Sequence, residues 1–223
     1  MSPARPVRLS KSRVIAWRQC PRRLWLEAYR PDLRVVTEAM QRGFDHGHDI
    51  GAAARALYPG GVLVDPPTLG EALRQTTMLL AYRGDLTLFE ATFRHAGVLV
   101  RADLLFRTDG SCRMVEVKGA SAVKPYHVED AAVQAWVVRG AGVPLERVGL
   151  MLPVWRPDAA GVDDPPQFDE IDVTAQVDEL IGQVPGWVGA CGAVLAGDEP
   201  DRAVSPACAA PFSCPFVAHC SSA

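Results

Sequence analysis

The chain has 223 residues, 48% hydrophobic and 22% charged, with 23 Lys and Arg against 26 Asp and Glu. That length can bury a full core, and the composition excludes a disordered, fibrous or membrane-embedded chain. The formal charge of −3 argues against a simple basic nucleic-acid binder, yet it averages opposite ends: residues 1–34 carry nine basic and two acidic side chains, residues 151–223 two basic and eleven acidic.

Six cysteines are too few for a disulfide-packed secreted scaffold, and the N-terminus lacks the pattern of a signal peptide, so a reducing cytoplasm is the expected compartment. No stretch approaches the roughly 20 apolar residues of a membrane span, and no membrane association is expected. Cys208, Cys214 and Cys220 recur at intervals of six, while Cys20 stands alone near the start.

In chain order, Ser10 caps a helix from Lys11 that Pro21 breaks or kinks, giving a basic arm that contains Trp17, Cys20 and Trp25. The spacing predicts helices over Glu38 to Leu57, with His46 and His48 near its middle, and over Leu69 to Tyr82. The period then becomes strand-like at Leu86 to Phe93, Val98 to Phe106 and Arg113 to Val117, with Thr108-Asp109-Gly110-Ser111 as the turn of an antiparallel hairpin. Val128 to Arg139 reads as a helix and Val148 to Trp155 as a strand. Residues 157–172, rich in Pro, Asp and Gly, read as a loop, and Val173 to Leu195 as a helix interrupted near Pro185-Gly186. The order implies an α/β or α+β fold. It divides into an arm over 1–34, a core over 38–155 and a helical C-terminal region over 173–223 of a single domain.

Strand alternation puts Val98, Val100, Ala102, Leu104 and Phe106 on a core face, with Arg101 and Asp103 opposite. Glu116 and Lys118 are two apart on the partner strand and project to one side, so two acids and a lysine can converge. Hydrolysis of a phosphodiester calls for that set: carboxylates hold a hard divalent cation, which supplies a nucleophilic water and offsets charge, while an ammonium orients the water or stabilises the phosphate. The plainer reading is a surface pair of Glu116 with Lys118 and a solvated Asp103.

The wider pattern runs from a histidine-bearing helix to Val-Arg-Ala-Asp103 on a strand, Val-Glu116-Val-Lys118 on the next, and a helix containing Gln134. It resembles the RecB-like branch of the PD-(D/E)XK nuclease superfamily. The resemblance implies a restriction-endonuclease-like core, a mixed central sheet flanked by helices. It implies His48, Asp103, Glu116 and the carbonyl of Val117 as ligands of Mg²⁺ or Mn²⁺, Lys118 as the catalytic lysine, and Gln134 as a further site residue. His46 competes with His48; the run Gly47-His48-Asp49-Ile50-Gly51 favours His48. Where many relatives carry tyrosine four residues after the glutamine, this chain has Val138. Glu90 can reach the site as an accessory acid or simply face solvent.

The spacing of Cys20, Cys208, Cys214 and Cys220 does not match the close pairs of a zinc ribbon. One distant cysteine plus three clustered ones resembles the iron-sulfur subset of these nucleases, which includes the AddB nuclease domain and the CRISPR-associated RecB-like exonucleases. That resemblance implies an iron-sulfur cluster, [4Fe-4S] in type, stapling the arm to the body; zinc is the competing occupant. Cys112 and Cys191 read as small core hydrophobes. The expected function is a DNA nuclease, an exonuclease on single strands or ends, working in repair, recombination or CRISPR-type processing. The alternative is a DNA-binding or partner-binding module of a larger assembly. With no Walker motif, any helicase would be a separate polypeptide. The basic arm, with Arg22 and Arg23, is a candidate guide for the phosphate backbone unless the acidic C-terminal region neutralises it.

Overall fold

The computed structural model describes residues 8–154 and 166–222. Strand β1 (Leu9–Ser10) leads into α1 (Lys11–Gln19), whose first turn is capped by Ser10 Oγ accepting from Arg13 N at 3.4 Å. Cys20 adopts extended backbone and Pro21 opens α2 (Pro21–Tyr29), so the proline ends one helix by starting the next. Helix α3 (Glu38–Ala56) is capped by Thr37, followed by β2 (Val62–Leu63) and by α4 (Leu69–Ala81), capped by Thr68. Then come β3 (Leu86–His95), β4 (Val98–Thr108), β5 (Ser111–Val117), α5 (Pro125–Gly140) and β6 (Leu145–Val154). The chain closes with β7 (Gln167–Asp172), α6 (Thr174–Ile181), α7 (Val184–Ala196) and α8 (Val217–Ser221).

The sheet runs β2-β3-β4-β5-β6-β7, with β1 attached to β4 outside that sequence. Strands β3, β4 and β5 form an antiparallel meander, β5 and β6 are parallel across the α5 crossover, and β7 returns antiparallel to β6. The hairpin turn has φ of 51° at Asp109 and 83° at Gly110, the doubly positive geometry that matches strand twist. Helices lie on both faces of this mixed sheet. Helix α5 is buried on nearly every side, and its Ala131, Ala132, Val133, Val137 and Val138 join Leu88, Val100, Met114 and Leu150 in the main core. Ala54 of α3 meets Phe89, Leu104, Phe106, Val115 and Met151 in a smaller core on the opposite face.

Several expectations are corrected. Residues 167–172 are an edge strand rather than loop; residues 155–165, including Trp155, lie outside the described residues. The break in the C-terminal helix falls at residues 182–183, ahead of Pro185, which sits in the first turn of α7. Val98, Val100 and Ala102 face the main core, but Leu104 and Phe106 face the smaller one, while Leu105 takes the main-core side. The alternation therefore slips phase at Asp103. On β3 the same slip falls at Glu90, which has φ of 57°: Leu88, Ala91 and Phe93 face the main core, Phe89 the other. Glu90 and Asp103 stand opposite each other between the paired positions Phe89 with Leu104 and Ala91 with Ala102.

Candidate active site

The site lies where one edge of β4 changes partner. Strand β5 pairs with β4 from Thr108 to Leu104. Strand β1 pairs with it at Val98 and Leu99. Because β3 occupies the other edge throughout, β1 and β5 share this edge and leave a gap between them. Into it come Asp103 from β4, Glu116 near the end of β5, Lys118, the residue after β5, and Lys11, the residue after β1.

Asp103 Oδ2 accepts from the backbone amide of Val117 at 2.8 Å, beyond the end of the β4–β5 ladder. Burial and the nearby charge of Glu116 push its carboxyl well above the usual range, against the opposing pull of Lys11. Glu116 is 2% exposed and carries donors on both oxygens. Lys11 Nζ and Lys118 Nζ reach Oε1 at 2.6 and 2.7 Å, and Gln134 Nε2 donates to Oε2. Burial would push the Glu116 carboxyl up, but the two ammoniums outweigh it and hold the group far below its ordinary value. Lys118 also bonds Asp130, which lies 3.6 Å from Lys11. Although burial works against the ammonium, Glu116 and Asp130 push Lys118 up to about 12.

Lys11 and Asp130 are members of this cluster that the sequence reading missed. Asp130 stands four residues before Gln134, so one face of α5 presents both to Glu116 and Lys118. Val138, at the position expected for tyrosine, is fully buried in the main core and contributes nothing to the site. Trp136 packs edge-on against His95. Gln134 is wholly buried, and its Oε1 has no hydrogen-bond partner among the described residues, a cost that natural cores rarely carry away from functional sites.

On the α3 side, His48, Glu90, Asp103, Glu116 and Val117 line one cavity of about 300 Å³, with Arg55 3.6 Å from Glu90. His46 instead lies against Gly119, where a Cβ would come within 3.1 Å of its ring. Hard oxygens plus one imidazole suit Mg²⁺ or Mn²⁺ in type. The side chains are not drawn into a ligand shell: among the described residues, no three His, Cys, Asp or Glu are gathered closely enough to hold a metal ion.

That statement covers the cysteines too. Cys20, at the α1–α2 junction, and the C-terminal segment come to the same end of the molecule, where Gln19 Nε2 donates to the carbonyls of Ala207 and Phe212 at 2.7 and 2.6 Å. Cys214 N donates to Cys208 O at 2.7 Å. Burial pushes the Cys214 and Cys220 thiols up, with Arg23 and Arg22 respectively opposing it. Cys112 and Cys191 are buried in the main core.

The arm's charges divide. Arg22 bonds Glu199 at 2.6 Å and the Arg202 carbonyl at 3.0 Å, Arg18 pairs with Glu129, and Arg23 pairs with Glu27. Arg22, offered from the sequence as part of a phosphate guide, is thus neutralised by the acidic C-terminal region. Arg13 and Arg34 have no carboxylate partner among the described residues, and both line a groove of about 940 Å³ with Lys11, Asp130, Phe44 and Phe212. The groove therefore adjoins the lysine–carboxylate cluster.

No family model and no curated protein matches the chain. Among solved structures, it is similar to LHK-Exo in complex with dAMP, at 15% identity and a TM-score of 0.46, over 85% of this chain and 90% of that one. It is also similar to SSO0001, at 12% identity and a TM-score of 0.41, over 84% and 78%. Among the described residues, no helix is long and apolar enough to cross a membrane.

Proposed function

We propose that the chain is a metal-dependent DNA nuclease that hydrolyses phosphodiester bonds on single strands or ends. The observation that carries the reading is the convergence of Asp103, Glu116, Lys118 and Gln134 at the gap along β4, beside a cavity bordered by His48 and Val117. His48, Asp103, Glu116 and Val117 would hold Mg²⁺ or Mn²⁺. When bound, that cation supplies an activated water and neutralises charge on the phosphate.

The chain's own residues do the rest. Gln134 and Lys118 hold the Glu116 carboxylate in place. The Lys118 ammonium stays charged and stands ready for the developing negative charge of the phosphate. Arg13 and Arg34 give the adjoining groove positive charge, and Phe44 and Phe212 give it aromatic faces. Cations plus rings favour a strand whose bases are unstacked.

In this reading Cys20, Cys208, Cys214 and Cys220 hold an iron-sulfur cluster, [4Fe-4S] in type, that ties the arm to the C-terminal segment as a structural staple. The protein would act in repair, recombination or CRISPR-type processing, beside a separate helicase or partner protein. Purified protein with Mn²⁺ should degrade a labelled single-stranded oligonucleotide and stop on chelation. Full activity in Asp103→Ala or Lys118→Ala overturns the assignment. Oligonucleotide binding without cleavage would instead favour a binding module.

A further inference from the structure

Glu116 is the most heavily engaged side chain of the site, and one of its partners has no counterpart in the acid-x-lysine pattern. Lys11 lies 105 positions away in sequence yet reaches Glu116 Oε1 as closely as Lys118 does, at 2.6 and 2.7 Å. Its delivery is specific. Ser10 pairs with Leu99 of β4 and caps α1, so the backbone on both sides of Lys11 is fixed. The Lys11 side chain is 22% exposed, with its open side on the groove, whereas that of Glu116 is 3% exposed.

The charges explain what such a residue does. Two carboxylates, Glu116 and Asp130, share two ammoniums, Lys11 and Lys118. Lys118 is bonded to both carboxylates, and by itself would leave Glu116 Oε1 with a single cationic donor. Lys11 bonds the same Glu116 oxygen and lies 3.6 Å from the same Asp130 oxygen, so the two ammoniums together bridge the two carboxylates while Gln134 fixes Oε2. Lys11 does not line the cavity bordered by His48 and Asp103, so its ammonium does not stand where a cation would enter.

We propose that Lys11 is a positioning residue of the active centre: brought in by β1, its ammonium joins that of Lys118 in holding the Glu116 carboxylate and makes the N-terminal segment part of the site. The inference rests on the nuclease reading and names a group outside it. It also gives the β1 pairing a purpose, since a two-residue strand adds little to the sheet but fixes the residue that follows it.

The test compares wild type with Lys11→Gln and Lys11→Arg in oligonucleotide cleavage, Mn²⁺ binding by electron paramagnetic resonance, and thermal unfolding. For Lys11→Gln, kcat should fall about 10- to 100-fold, the range for a residue that orients a metal ligand, with KM for the oligonucleotide unchanged. Mn²⁺ should bind as tightly as to wild type or tighter, because a positive charge beside the carboxylates has gone. Lys11→Arg should recover part of kcat. Asp130→Asn is the independent handle: it removes the carboxylate shared by the two lysines and should lower kcat with Mn²⁺ binding retained.

Wild-type kcat in Lys11→Gln overturns the proposal. So does a loss of Mn²⁺ binding and folding stability in step with activity in both Lys11 variants, which would make the lysine a scaffold tie only. Wild-type protein that neither cleaves DNA nor binds Mn²⁺ refutes the nuclease reading itself, and this inference with it.

Discussion

The backbone amide of Val117 donates to Asp103 Oδ2 at 2.8 Å, so a side chain takes the place of a strand partner where β4 and β5 separate. The bond satisfies the amide, but the carboxylate it uses is half-buried beside Glu116 and is pushed well above the usual range. The sign follows from linkage. A folded-state value above the unfolded one means that the fold binds the proton more tightly, so this group favours the fold at low pH and costs stability as pH rises through the folded value. Asp103→Asn keeps an acceptor for Val117 and removes the charge. Calorimetry at neutral pH should show a Tm at or above wild type, the pattern of a site where stability is given up for function.

His127 behaves in the opposite way. It is buried, and its Nδ1 accepts from the Lys124 amide at 3.2 Å. Burial, with Lys118 adding to it, holds its imidazole down to about 4 from an ordinary 6.5. The unfolded chain therefore takes up a proton at higher pH than the fold does, and stability is lost as pH falls from about 6.5 through about 4. Replacing His127 with Asn should flatten this part of the Tm-against-pH curve relative to wild type, while the loss below it that comes from Glu116 remains.

The divided charges of the arm separate two effects. Arg13→Ala and Arg34→Ala should each reduce the salt dependence of single-strand binding, by about 0.7 in the log–log slope for every phosphate that the missing guanidinium had neutralised. Arg22→Ala should leave that slope unchanged and lower Tm instead, because its guanidinium is spent on Glu199 and the Arg202 carbonyl. Fluorescence anisotropy across a salt series reads the first effect, and thermal unfolding the second.

Phe216 is fully buried two residues after Cys214 and anchors the C-terminal segment. Phe216→Ala should cost about 3–5 kcal/mol, as core phenylalanine truncations do. Denaturant titration measures this, and the same variant should lose visible iron-sulfur absorbance if the segment carries the cluster.

How much was legible in the sequence depended on whether a residue's partners were local. The hairpin and the alignment of Glu116 with Lys118 followed from turn chemistry and a period of two. The phase slip at Asp103 could not be read, because Leu104-Leu105-Phe106 is a continuous apolar run between two cores and fits either phase. Strand β7 was hidden because it is an exposed edge, with acids at Asp169, Glu170 and Asp172, and follows a Pro- and Asp-rich stretch. Lys11 escaped notice because a two-residue strand has no periodicity, and its pairing with β4 spans most of the arm and half the core. Asp130 had a usable signal: it lies one helical turn from Gln134 on the face that meets the site.

Cleavage of a labelled single-stranded oligonucleotide in Mn²⁺ by wild type and Asp103→Asn, with Tm recorded for both, tests the central claim most directly. Robust cleavage by wild type, with a folded Asp103→Asn at equal or higher Tm reduced to background, is the predicted result. Equal cleavage by the two proteins would contradict the account.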